Sequence, residues 1–305
     1  MKRLLAIPFL LGAIMLIMLA LPVPLPVPST PLPNPNGYDL FIQAGASLQP
    51  DGRDYEKLDR DALAAVVERN ATALQLMRTG LVLQCQVSPK YMAPVPTGRK
   101  GSGADLGISA FRDLAEALVA EGRFAELDNR PADAAKSYLD AVRLGIASTQ
   151  GGVLLHAMVG MTVESIGTRN LQRIVNQLDA NSCRTISKAL EELDSRRGTL
   201  KSFSEREHVI ARQSPLSSRL AMMAGLGGTD VMLSTSEAQF NDRVATTRQL
   251  MVDLAARAYE LETGRKAKNF ANLVPGYLQA IPQNPITGTN MGFLPQSRRP
   301  APTRD

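Results

Sequence analysis

Tryptophan is absent from the 305 residues, and aromatic side chains of all kinds make up only 5% of them. Strand-built cores draw on aromatic and β-branched residues, so this scarcity favours helices packed on Leu, Ala and Met. Histidine occurs twice, as His156 and His208, and cysteine twice, as Cys85 and Cys183. There is no His-Glu-x-x-His zinc motif, no Cys-x-x-Cys pair, and no Gly-x-Ser-x-Gly or Ser-x-x-Lys nucleophile. Carboxylate pairs recur as on any helical surface and nominate no glycosidase. The sequence therefore names no catalytic residue, cofactor or metal ligand, and an enzyme is not expected. The formal charge is only +5 and the basic residues alternate with acidic ones. Nucleic-acid binding wants a basic stripe, so no nucleic-acid partner is expected. Cys85 and Cys183 can pair in an oxidising compartment and close a long loop, or remain two separate buried thiols; spacing leaves both open.

Charge is also missing between Arg3 and Asp39. Within that gap the 18 residues Leu4 to Leu21 form an apolar run interrupted only by Pro8 and Gly12, long enough to span a bilayer as a helix. Lys2 and Arg3 should hold its start in the cytoplasm and send the rest of the chain across. No Ala-x-Ala site follows, Val27-Pro28-Ser29 is a poor substitute, and no Cys follows for lipid attachment. The expectation is an uncleaved anchor with the bulk of the chain extracytoplasmic, periplasmic in a bacterium, or a secreted protein if the segment is removed. Pro22, Pro24, Pro26, Pro28, Pro31, Pro33 and Pro35 then favour an extended polyproline spacer.

The remainder reads as helical. Apolar residues near a 3.6 period predict one helix over Asp59 to Leu83, with Leu63, Val66, Val67, Leu74, Met77 and Leu81 inward. Gln84 to Asp105 is rich in Pro and Gly and reads as an exposed loop; its Gly98-Arg99-Lys100-Gly101-Ser102-Gly103 run fails the phosphate-loop pattern. Further helices are predicted over Leu106 to Leu127, Ala132 to Ile146 after Pro131, Val153 to Leu178, Cys183 to Arg197, Phe203 to Arg212 and Ala238 to Glu262. Between the last two, Pro215 to Ser236 is Met-rich and hinged by glycines. It is read as a loop folding back on the core, with an adaptable binding surface as the alternative.

The fold expected is thus all-α: an N-terminal transmembrane helix followed by a helical-hairpin array or bundle and an irregular C-terminal tail. Residues 1–21 are the anchor or signal, 22–37 the linker, 38–262 the helical domain, and 263–305 a tail packed on the last helix with a frayed end.

Gly122, Ala134, Tyr138 and Ala141 stand at relative positions where small and aromatic residues let antiparallel helices approach. Leu114 to Leu144 therefore resembles one tetratricopeptide hairpin, although the usual Trp and Leu-Gly pair are missing. Phe270 to Leu278, followed by Pro282-Gln283-Asn284-Pro285-Ile286-Thr287-Gly288, resembles the end of type II secretion pseudopilins, with Asn284 where those carry Asp. The prepilin cleavage site is missing. The same tail and the hairpin body are similar to a group of uncharacterised exported helical proteins of planctomycete-like bacteria, which lends no function. The pseudopilin resemblance implies a secretion or pilus accessory role.

Taken together, these features lead to a membrane-tethered scaffold that binds a protein partner. Its candidate partner surface comprises Tyr138, Glu205, Arg206, His208, Met222 and Met223. An envelope enzyme using dispersed Glu, Arg and His residues around Glu205 and His208 is the alternative.

Overall fold

Nine α-helices and no β-strand occur among residues 31–92, 103–213 and 229–293, the residues described by a computed structural model of the chain. In order they are α1 (Gly37–Ser47), α2 (Arg60–Arg69), α3 (Ala71–Leu81), α4 (Gly103–Leu127), α5 (Pro131–Ala147), α6 (Leu154–Ile174), α7 (Ala180–Ser195), α8 (Leu200–Gln213) and α9 (Thr229–Thr263). Short polar side chains start several of them: Asn36, Asp59 and Asp179 accept from Tyr38 N, Ala62 N and Ser182 N. Pro131 sits in the first turn of α5, where its missing N–H costs nothing. Asn129, at φ 56°, ends α4, and Gly264, at φ 68°, follows the end of α9. Among the described residues no helix is long and apolar enough to cross a membrane. The expected anchor, the linker up to residue 30, Met222, Met223 and the end of the tail after residue 293 lie outside the described residues.

Several sequence expectations need correction. The helix expected over Asp59 to Leu83 is two helices meeting at Asn70, whose backbone still bonds Val66 and Leu74 and whose side-chain amide adds bonds of its own at the break. Its Oδ1 accepts from Gln49 N at 2.8 Å and its Nδ2 donates to Val66 O at 3.0 Å. The folded domain begins before residue 38: Asn36 is buried, and its side chain bonds both Gln86 N and Gln86 O. The expected exposed loop is anchored at its start, because Val87 is fully buried and donates its N–H to Gln150 O at 2.8 Å. The last helix begins at Thr229, inside the segment read as a loop. Cys85 and Cys183 are free thiols in separate apolar clusters, and burial pushes both up to about 12.

The layers follow chain order. Helices α1 to α3 cover one side of α4, with Tyr38, Phe41, Leu74, Met77, Phe111, Leu114 and Leu118 between them. The other side of the domain joins α5, α6, α7 and α9 through Tyr138, Leu171, Ile174, Leu190, Leu250 and Leu254. Each such fully buried large side chain contributes about 1.5–3 kcal/mol. Phe240, Val244, Leu250, Leu254 and Ala258 of α9 are all buried, as their spacing predicts. The tail adds Leu273, Leu278 and Met291 to this core and packs on α7 as well as α9: Arg184 donates to Gly276 O at 3.1 Å, and Glu191 accepts from Gln279 N at 2.9 Å. Pro275, within this tail, is exposed.

Helices α5 and α6 touch backbone to backbone. A Cβ on Gly160 would stand 2.6 Å from Gly145 O, and one on Gly145 would stand 2.6 Å from Glu164 N. Gly122 makes the same kind of space on α4, where a Cβ would fall within the Tyr138 ring. Backbone atoms cannot swing aside as a side-chain end can. Gly160→Ala should therefore cost about 1–3 kcal/mol in urea unfolding. Gly276→Ala, with nothing within 4 Å of its would-be Cβ, should stay within about 0.5 kcal/mol of the parent protein.

Candidate functional site

On either side of Asn70, α2 and α3 form an open groove with α4. Val67, Ala71, Leu74, Gln75, Arg78, Thr79 and Glu121 line this groove, whose volume is about 440 Å³. Apolar side chains from the end of α2 and the start of α3 form one wall. At the base lies Arg78, which reaches across two helices. It pairs with the Glu121 carboxylate of α4 through both terminal nitrogens, and its Nε donates to Asp140 Oδ2 of α5 at 2.9 Å. Ser137 Oγ donates to the same Glu121 at 2.6 Å, and Arg143 pairs with the other Asp140 oxygen at 3.0 Å. Burial alone would lower the Arg78 pKa, but Glu121 and Asp140 more than offset this and hold it above its ordinary value. The guanidinium charge is thus neutralised from within. The groove offers a shallow apolar wall with amide and hydroxyl groups at its edge, and no nucleophile beside a base.

Two further polar clusters lie inside the helix array. Glu126 of α4 accepts from Tyr138 Oη, from Arg123 at 2.8 Å and from both terminal nitrogens of Arg173 at 2.6 and 2.7 Å. Burial would raise the Glu126 pKa, yet Arg173 and Tyr138 hold it below the usual carboxylate range. Glu164 of α6 accepts both terminal nitrogens of Arg197 at 2.6 Å and the Thr247 hydroxyl at 2.6 Å. Among the described residues no group of three or more His, Cys, Asp or Glu side chains stands together as a metal site.

The residues named from sequence do not form one surface. Tyr138 is fully buried, because Gly122 leaves room for its ring and Glu126 takes its hydroxyl, so it belongs to the core rather than to a partner surface. Arg206 is half-buried, donates to Gly152 O at 3.0 Å and lies over the Phe203 ring, a contact that fixes α8 to the start of α6. Glu205 and His208 are exposed on α8, and Glu205 faces Lys201 at 3.9 Å.

Arg78, Glu121 and Asp140 were not singled out in the sequence. A signal existed: each falls in phase with an apolar stripe, Arg78 four residues after Leu74, Glu121 three after Leu118 and Asp140 four before Leu144. Charges in register with buried faces on three helices mark a shared polar joint.

No family model matches the chain, and no curated protein or solved structure is similar to it.

Replacing Arg78 by Leu strands two carboxylates. Because the Arg78 side chain is 38% exposed, solvent tempers the loss to about 1–2 kcal/mol, below the 3–5 typical of a fully buried pair. Arg143→Ala, which removes only the outer contact to Asp140, should cost less than about 0.5 kcal/mol in the same denaturation series.

Proposed function

We propose that this chain is a membrane-tethered, extracytoplasmic helical module that binds a segment of another protein in the groove between α2, α3 and α4. The observation that carries the proposal is the groove itself: an open wedge of about 440 Å³ beside helices whose interior charges are spent on one another. A small-molecule site encloses most of its ligand, whereas this wedge is open along one side and suits a polypeptide. A partner would seat a small apolar side chain against Val67, Ala71 and Leu74 and meet Gln75 and Thr79 with hydrogen-bonding groups. The anchoring part of the proposal is supported by the apolar run Leu4 to Leu21 behind Lys2 and Arg3.

A second surface favours the secretion-accessory alternative. In the tail, Asn284 Oδ1 accepts from Ile286 N and Thr287 N, and Gly288 N closes back on Asn284 O at 2.8 Å. This tight loop holds Ile286 outward at 64% exposure.

The test is photocrosslinking in the native envelope, with the crosslinking residue at Gln75, Thr79, Ile286 or, as a control on α8, Lys201. One discrete partner from both groove positions, absent at Lys201 and lost when Ala71→Arg blocks the wedge, is the expected result. A partner captured only from Ile286 would move the function to the tail. The same adducts from every position, or none from the groove, would end the groove proposal.

A further inference from the structure

His156 sits in the first turn of α6 with 4% of its surface exposed. The Val153 N–H donates to its Nδ1 at 3.4 Å, which places the proton of the neutral ring on Nε2. That Nε2 has no hydrogen-bond partner among the described residues. The ring faces Tyr38 of α1, with centroids 6.3 Å apart. Behind Tyr38 stands Tyr91, at 5.5 Å. One residue before Val153, Gly152 O accepts from Arg206 of α8. The only carboxylate on α6, Glu164, lies two turns further on and is held by Arg197 and Thr247. On α1, Asp39 next to Tyr38 pairs with Lys90 at 3.5 Å, and on α8 Glu205 faces Lys201 at 3.9 Å and Glu207 is exposed.

We infer that His156 is an acid-sensitive latch: its protonation opens the first turn of α6 and releases α8 from the domain. Three geometric facts act in the same direction. A proton on Nδ1 turns it from the acceptor of the Val153 N–H into a second donor aimed at it, and leaves neither ring nitrogen paired. The new cation lies at the positive end of the α6 dipole. It also lies beside Gly152, which already carries the Arg206 guanidinium. Helix α8 is seated on this turn: Arg206 holds Gly152, and Phe203 packs with Ala157, Met161, Phe240 and Val244. Fraying residues 153–157 removes the seat and uncovers that small cluster.

Burial lowers the His156 pKa to about 4 from the ordinary 6.5. A histidine with a depressed folded-state pKa binds its proton more readily in the opened form. The latch is therefore fully closed above 6.5 and loses stability as pH falls from there towards 4. Between pH 7.5 and 5 this pKa difference raises the opening constant about 25-fold. The latch uses none of the residues that line the groove and does not depend on what the groove binds.

The experiment is hydrogen exchange with peptide-level mass spectrometry on the full-length chain in detergent, at pH 7.5 and 5, with rates corrected for the intrinsic effect of pH. Protection over residues 153–160 and 200–210 should fall about 25-fold at pH 5, while peptides from α4 and α5 change little. His156→Gln should abolish the step, and His208→Asn, which alters the only other histidine, should keep it. Persistence of the step in His156→Gln, its loss in His208→Asn, or an equal loss of protection across α4 and α5 would overturn the inference. If His156→Gln does not fold, an NMR titration of wild-type His156 decides instead: a midpoint near the ordinary 6.5 would overturn it, and one near 4 supports it.

Discussion

The pairing of Glu164 with Arg197 constrains more of this domain than any other contact. Both side chains are almost wholly buried, at 3% and 10% exposure. A charge in that position without its partner costs several kcal/mol, so the segments that supply the partners must arrive together. Glu164 comes from α6 and Arg197 from the corner between α7 and α8. Thr247 of α9 donates its hydroxyl to Glu164. Arg197 passes the connection to Asp194, Asp194 to Arg248, and Arg248 donates to Gln283 O of the tail at 2.7 Å. Burial by itself would pull the Arg197 pKa down; Glu164 and Asp194 reverse that and hold it above its ordinary value. One chain of charges thus sets how α6, α7, α9 and the tail meet. Apolar packing alone would leave these helices several nearly equivalent rotations.

Glu126 does for α4, α5 and α6 what Glu164 does for the later helices. It ties Tyr138 and Arg173 together across three helices, and Arg173 also donates to Tyr138 Oη at 3.2 Å. The glycines make these joints possible. Gly145 and Gly160 bring α5 and α6 close enough for their backbones to touch, and Gly122 admits the Tyr138 ring whose hydroxyl Glu126 then binds. Small residues and buried charges therefore solve one problem in two stages: the first fixes the separation of the helices, the second their rotation. Where small residues are replaced by bulk, the charges can no longer reach, so packing and electrostatics are coupled and will not add independently.

Helix existence was legible in the sequence wherever the apolar period was strong. The face of α9 came out as its spacing required, and Pro131 marked a helix start correctly, whereas α7 begins at Ala180, three residues before the expected Cys183. Periodicity failed at Asn70, because the stripe continues in phase through the break. The decisive bond runs from Asn70 to Gln49, 21 residues away, and no local window contains it. The Met-rich stretch misled for a related reason: its glycines hid a helix that begins only at Thr229. The candidate site was less legible than the fold. Tyr138 was assigned at once to a helix-packing position and to a partner surface, and only the first role survives its burial. The groove forms where side chains of three helices meet, a tertiary arrangement to which single-chain periodicity is blind.

The groove is also tied to the point where the chain enters the domain. Asn36, the last residue before α1, uses its side chain three times: it accepts from Tyr38 N and Gln86 N and donates to Gln86 O. Gly37 N then donates to Gln84 O at 2.9 Å, and Gly37 lies so close to Gly80 that neither tolerates a Cβ. The chain at Asn36 is thereby clamped to the end of α3, the helix that carries Leu74, Gln75 and Arg78 into the groove. A force applied there acts on α3 through this clamp, on α4 through Tyr38 and Phe41, which pack with Phe111, and on Glu121 and Asp140 through Arg78. The entry of the chain and the groove thus share α3, so on the proposed function an anchor would fix how the groove is presented to a partner as well as where the domain resides.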